Sequence, residues 1–144
     1  FENVAPVDLV QENLSFSKEK HTLRGLHYQI KPYEQDKFVS VLSGSILDVA
    51  VDIRPNSKFF GKHIKIKISS TDSKHIFIPK GFAHGYLTLE ANTTILYKVS
   101  NYYNVESERG IIWNDPKIGI DWEVLTPNIS EKDSSYKDIT GAKL

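Results

Sequence analysis

The chain has no cysteine, so its five histidines are the side chains whose unperturbed pKa lies nearest neutrality. Two of them stand among residues that could share a reaction with them. His27 lies in LRGLHYQ (residues 23–29), with Arg24 before it and Lys37 after it. A neutral imidazole can take a proton from carbon. A nearby lysine or arginine can hold an oxyanion or a phosphate. His84 lies in IPKGFAHGYLTL (residues 78–89), where it reads either as a hydrogen-bonded histidine on a buried strand or as a ligand contact. Tyr97 could donate a proton, but its alternation with Ile95 and Val99 is also what a core tyrosine shows.

These residues need strands to carry them. Val7 to Gln11 is expected as a strand leading into Glu12 and Asn13. Leu26, Tyr28 and Ile30 alternate with His27 and Gln29, the period of two of a half-buried strand. Pro32 interrupts the pattern and Lys37 to Leu42 resumes it, so a hairpin is expected that returns Lys37 beside His27. Ile46 to Arg54 is the clearest strand, with Leu47, Val49, Val51 and Ile53 on one face and Asp48, Ala50 and Asp52 on the other. Asp48 then has two readings, pointing into a pocket or bridging to Arg54. His63 to Ser69 alternates with Ile64, Ile66 and Ile68 inward and His63, Lys65 and Lys67 toward solvent.

His75 to Pro79, Ala83 to Leu89 and Thr93 to Ser100 are further strands, and residues 111–116 read as a last strand closing on a turn. Ser130 to Asp133 starts a short helical piece. Eight or nine short strands with almost no helical periodicity mean an all-β antiparallel barrel or sandwich, with a jelly roll the natural candidate.

Bulk properties narrow the function. Formal net charge is zero, so no global field favours nucleic acid or an acidic membrane surface. No apolar run approaches the ~18 residues of a membrane span, and no leader pattern stands at the start. The absence of cysteine fits a reducing compartment, and a cytoplasmic location is expected. The chain starts at Phe1 and contains no methionine, so an N-terminal segment is expected to be missing or processed away. Residues 1–144 are expected to form a single domain.

Residues 79–84, PKGFAH, resemble the second motif of the cupin jelly rolls. The first motif of a metal-binding cupin would supply two histidines one residue apart and a later glutamate. Here residues 27–29 read HYQ, with one histidine, and His27, His84 and Glu34 are the only plausible ligand set. No metal and no cofactor are expected.

A broader resemblance covers Val10 to Asp133. LRGLHYQ, the later QDK, GSILDVAVDIRPNS, IPKGFAHGYLTL, LYKVSNYY, GIIWNDPKIGIDW and SEKD occur in the order seen in the dTDP-4-dehydrorhamnose 3,5-epimerases. The resemblance implies a cofactor-free, cupin-type jelly-roll homodimer that inverts C3 and C5 of a dTDP-4-keto-6-deoxyhexose. It implies His27 as general base, Lys37 as enolate stabiliser, Tyr97 as the acid on the opposite face and Asp133 as the carboxylate orienting His27. Downstream of Asp133 the usual proline is replaced by Ser134, Ser135, Tyr136 and Lys137.

For the nucleotide end it implies Arg24 on phosphate and Tyr103 stacking on thymine. Gln11, Glu12, Asn13, Asp48, His84, Glu108 and Lys132 complete the implied ligand contacts. Family members carry an N-terminal stretch with further ligand contacts and strands exchanged with the partner subunit, which this sequence does not supply. An epimerase acting on one carbon alone and a non-catalytic sugar-nucleotide-binding cupin are the alternatives.

Overall fold

Period-two patterning resolves into two sheets in the computed structural model, which describes residues 7–144. In chain order the strands are β1 (Gln11–Ser17), β2 (Thr22–Gln29), β3 (Lys37–Ser43), β4 (Ser45–Asp52) and β5 (His63–Ser69). They continue with β6 (His75–Ile78), β7 (Phe82–Thr88), β8 (Thr93–Val99), β9 (Glu108–Gly110) and β10 (Asn128–Ile129), followed by helix α1 (Glu131–Ser134). One sheet has the order β1-β8-β3-β6. The other has the order β10-β2-β7-β4-β5, with β9 also pairing β2. The pairs are antiparallel except β10 with β2, which is parallel.

Two apolar clusters hold the sheets. Val39, Val41 and Ile95 from one sheet meet Ile46, Ile68 and Tyr86 from the other, filling one end of the barrel interior. The second cluster lies on the outer face of the β2-β7-β4 sheet. There Leu23, Leu26, Leu47, Val49 and Val51 are covered by Ile111, Ile118, Trp122 and Ile139 from the C-terminal third. Burying such a side chain is worth about 1.5–3 kcal/mol, so this C-terminal layer is a major part of the fold. It explains why β4 is buried on both faces.

Four sequence expectations are corrected. The first strand is Gln11–Ser17 and not Val7 to Gln11. Its pattern is inverted: Gln11, Asn13 and Ser15 turn inward, while Leu14 is 68% and Phe16 56% exposed. β2 and β3 do not form a hairpin, because the chain crosses between sheets at Pro32 and each strand finds other partners. Ile64 and Ile66 are exposed rather than inward. β5 is the outermost strand, and of its three isoleucines only Ile68 packs into the barrel cluster. Lys65 and Lys67 are exposed as expected, and at the edge of the C-terminal layer Lys65 donates to the Asp121 carbonyl at 2.9 Å and Lys67 pairs with Glu123 at 2.6 Å. The last antiparallel strand is Glu108–Gly110, ahead of residues 111–116, although Ile111 and Leu26 still exchange backbone hydrogen bonds.

The short helix forms where expected. Ser130 is extended (φ −67°, ψ 153°), and its hydroxyl accepts the Asp133 N–H at 3.1 Å, as an N-cap does.

Candidate active site

β2 carries two functional candidates at an odd spacing, which in a regular strand would put them on opposite faces. The register with β7 shifts between Arg24 and His27, and both residues consequently line one cleft. Gly25 makes the shift possible. Its φ of +121° is one that L side chains rarely adopt, and a Cβ there would lie 2.6 Å from Gly85 Cα. The Gly25–Leu26 peptide is cis.

Asp133 reaches this strand from α1 and holds two points of it. One carboxylate oxygen meets His27 Nε2 at 2.7 Å, and the other accepts the Gly25 N–H at 3.0 Å. The carboxylate is 5% exposed. Burial alone would raise its pKa, but hydrogen bonding and charge from His27, the Gly25 N–H and Lys132 together hold it below the ordinary carboxylate value. An imidazole whose Nε2–H donates to this carboxylate carries its lone pair on Nδ1. That is the arrangement of an oriented base.

Lys37, the first residue of β3, lines the cleft beside His27 and is 9% exposed. Burial pushes its ammonium down to about 8, against the opposing pull of Asp48 and Glu108. It stays a cation at neutral pH in a site where little water screens it. Tyr97 on β8 packs against the barrel cluster and also lines the cleft, so it has both core and pocket contacts. Burial raises its pKa, with Glu108 and Tyr103 adding to the effect and Arg24 opposing it. Its hydroxyl is therefore protonated at neutral pH and able to donate.

His84 faces His27 in the β2–β7 register, and its Nε2 meets Asp48 Oδ2 at 2.7 Å. Asp48 is 2% exposed. The bridge to Arg54 is made instead by Asp52, at 2.6 Å, while Asp48 lies behind His84, which lines the cleft. Arg24 has an exposed guanidinium whose recorded contact, to the Phe16 carbonyl, is long at 3.5 Å. Among the described residues it makes no ion pair.

The cleft continues toward Gln11, Asn13, Tyr103 and Glu108 as a hollow of about 270 Å³. Gln11 donates to Asn13 at 2.8 Å and accepts the Tyr103 N–H at 3.0 Å. Glu108 accepts the Tyr103 hydroxyl at 3.0 Å and also pairs with Lys132 at the rim. Glu12 is the exception among the expected contacts. Its neighbours on β1 face inward, so it must face outward, where it pairs with Lys98 at 2.9 Å. Glu34 lines a larger, adjoining hollow of about 490 Å³ beside Arg54 and Phe82, which neither His27 nor His84 lines, so the three do not come together as a ligand set. Among the described residues no cluster of three or more His, Cys, Asp or Glu side chains could hold a metal ion.

Sequence reading missed several members. Ser15 lines the cleft and shares a 2.9 Å hydrogen bond with Tyr86, and its signal was hidden in the inverted pattern of β1. Gln29 does carry a signal, since it alternates with Tyr28 just as His27 does. Its amide donates to the Tyr33 and Tyr102 carbonyls at 2.6 and 3.2 Å and accepts the Asn104 N–H at 2.8 Å, fixing the loop that carries Tyr103. One cleft thus brings together an oriented base, a buried cation, a protonated phenol and an exposed arginine. Such a set can deprotonate a carbon next to a carbonyl, hold the enolate and return a proton.

Known proteins agree with this chemistry. The family described as dTDP-4-dehydrorhamnose 3,5-epimerase matches residues 1–140. A protein of that name from Sinorhizobium fredii is 47% identical over 138 residues, 95% of this chain and 71% of the relative. Its namesake from Escherichia coli K12 is 51% identical over 117 residues, 81% of this chain and 63% of the relative. The chain therefore spans about two thirds of the length of these curated relatives. The solved dTDP-6-deoxy-D-glucose-3,5-epimerase of Legionella pneumophila, in complex with dTDP-4-keto-L-rhamnose, superposes with a TM-score of 0.91. It is 42% identical, over 96% of this chain and 74% of that one.

Proposed function

The chain belongs to the dTDP-4-dehydrorhamnose 3,5-epimerase family, and we propose on that basis that it is an isomerase inverting C3 and C5 of dTDP-4-keto-6-deoxy-D-glucose in deoxysugar biosynthesis. The observation that carries the chemistry is the 2.7 Å His27–Asp133 pair in a cleft that Lys37 and Tyr97 also line.

A proton on carbon next to the C4 ketone is acidic because the electron pair left behind delocalises onto the ketone oxygen as an enolate. His27 takes that proton, and Asp133 stabilises the imidazolium that forms. Lys37 faces the developing oxyanion, an electrostatic role strengthened by burial. Tyr97 returns a proton to the carbon from the opposite face, which inverts the centre. Solvent then takes the proton from the imidazolium and restores the one Tyr97 gave up, and a second enolate completes the reaction, with solvent as well as Tyr97 able to protonate the opposite face at C3. An oriented base of this kind contributes roughly 10²–10⁴ in rate.

At the nucleotide end Arg24 takes phosphate and Tyr103 stacks on the base. Gln11, Asn13, His84 and Glu108 supply polar contacts, and Lys132 acts at the rim through Glu108. The whole chain acts as one cupin-type epimerase domain. It works as a homodimer, a reading supported by the exposed apolar side chains Leu14, Phe16 and Leu42 on the sheet that the C-terminal layer leaves bare. A nucleotide-activated sugar as substrate makes the cytoplasm the expected compartment.

The test is to incubate the protein with dTDP-4-keto-6-deoxyglucose in D2O and follow C3 and C5 by NMR. Deuterium at both carbons is expected, and His27→Ala should remove both signals. No exchange at either carbon in the parent protein would refute the epimerase reading, and exchange at C3 alone would make it a single-carbon epimerase.

A further inference from the structure

We propose that Tyr136 is a positioning residue for the base, and that Gly110 exists without a side chain to let it through. The inference rests on the proposed role of His27. Three observations carry it. The Tyr136 ring stands edge-to-face against the His27 imidazole, with centroids 6.0 Å apart and planes at 78°. Gly110 is the β9 partner of His27 in the strand register. A Cβ on Gly110 would lie 2.2–2.4 Å from three atoms of the Tyr136 ring, far inside contact distance.

The chain after α1 therefore lays an aromatic ring over β9, next to the imidazole that the same segment's Asp133 holds from one end. A single hydrogen bond fixes a distance but leaves the imidazole free to swing about it. A ring packed at right angles removes that freedom, and edge-to-face aromatic pairs are favourable in their own right. The work is done by the ring and not by the hydroxyl. The hydroxyl oxygen is buried and makes no well-formed hydrogen bond. Burial, with Glu108 and Asp133 adding to it and Lys132 opposing, raises its pKa, so it stays neutral.

The experiment compares Tyr136→Ala, Tyr136→Phe, Gly110→Ala and the Gly110→Ala/Tyr136→Ala double variant. Tyr136→Ala should lower kcat by roughly 10- to 100-fold, the scale of a misplaced catalytic group, while leaving KM little changed. Tyr136→Phe should restore kcat. Gly110→Ala should mimic Tyr136→Ala by displacing the ring, and the double variant should be no worse than Tyr136→Ala, because the two changes act through one contact. A second readout needs no turnover. The low-field Nε2 proton of His27, bonded to Asp133, should be visible by NMR in the parent protein and in Tyr136→Phe, and lost to exchange in Tyr136→Ala. If Tyr136→Ala keeps that resonance, or if the two alanine effects simply multiply, the inference is overturned. If the parent protein fails to turn over the sugar nucleotide, the functional reading falls, and the resonance comparison still decides the positioning role.

Discussion

Replacing Lys37 with methionine should make the protein more stable and leave it inactive. The side chain is 9% exposed, and burial moves its pKa from 10.5 to about 8. Each pKa step is worth about 1.4 kcal/mol, so holding the ammonium in the fold costs about 3 kcal/mol at neutral pH. The sign follows from proton counting. Below pH 8 the lysine is charged in both folded and unfolded chains, and the cost is present in full. Between about 8 and 10.5 the unfolded chain binds the proton and the folded chain does not, so stability rises with pH across that window and the cost disappears above it. Methionine fills similar volume without a charge.

Urea unfolding followed by the fluorescence of Trp113 and Trp122 is the assay. Lys37→Met should gain roughly 2–3 kcal/mol at pH 7, and its advantage should shrink to about 1 kcal/mol at pH 9.5. Deuterium exchange at C3 and C5 should be lost in the same protein. A variant less stable than the parent at pH 7, or an advantage that does not change with pH, would refute the claim that a buried charge is kept here for chemistry.

Other perturbations separate the remaining roles. Asp133→Asn should lower kcat by roughly 10²–10⁴-fold, with the loss visible in single-turnover kinetics, because the amide cannot stabilise the imidazolium. Tyr97→Phe should abolish deuterium incorporation at C5 and spare part of that at C3. Tyr103→Ala should raise KM for the sugar nucleotide by roughly 5- to 100-fold with kcat less affected, the scale of one lost base–aromatic stack. Asp52 accepts from Arg54 and Ser57, and these bonds, the Arg54 side chain first, hold its pKa at about 2. Its contribution should therefore be present above pH 4 and fade as pH falls toward 2, and Asp52→Asn should remove that part of the acid transition in a urea series.

Much of the site was legible because strand alternation and polar clusters survive in one dimension. His27 and Gln29 show their pocket face by period two, and Ser130 to Asp133 shows its helix start by its cap. β1 was misplaced because its polar residues face the cleft and its apolar ones face out, which reverses the usual sign of the pattern. The same reversal put Glu12 in the wrong company. Ile64 and Ile66 follow an inward pattern, yet nothing in the sequence reveals that β5 ends the sheet. The β2–β3 connection looked like a hairpin because sequence gives spacing and not sheet membership. The C-terminal layer is visible in the sequence as a motif, GIIWNDPKIGIDW, but not as a layer of core. Ile118, Trp122 and Ile139 have no shared period, and only their convergence on one sheet face makes them core.

The Asp133 carboxylate, which grips both Gly25 and His27, has a consequence for how the protein becomes an enzyme. The imidazole and its carboxylate are 106 residues apart in sequence. During synthesis the barrel strands are made first, and the arm that aims the base comes after them. Binding surface and catalytic power are therefore acquired at different times, and turnover reports that the final arm has docked. A substitution that loosens α1 while Ile139 stays packed should leave a barrel that still takes up its ligand and no longer changes it.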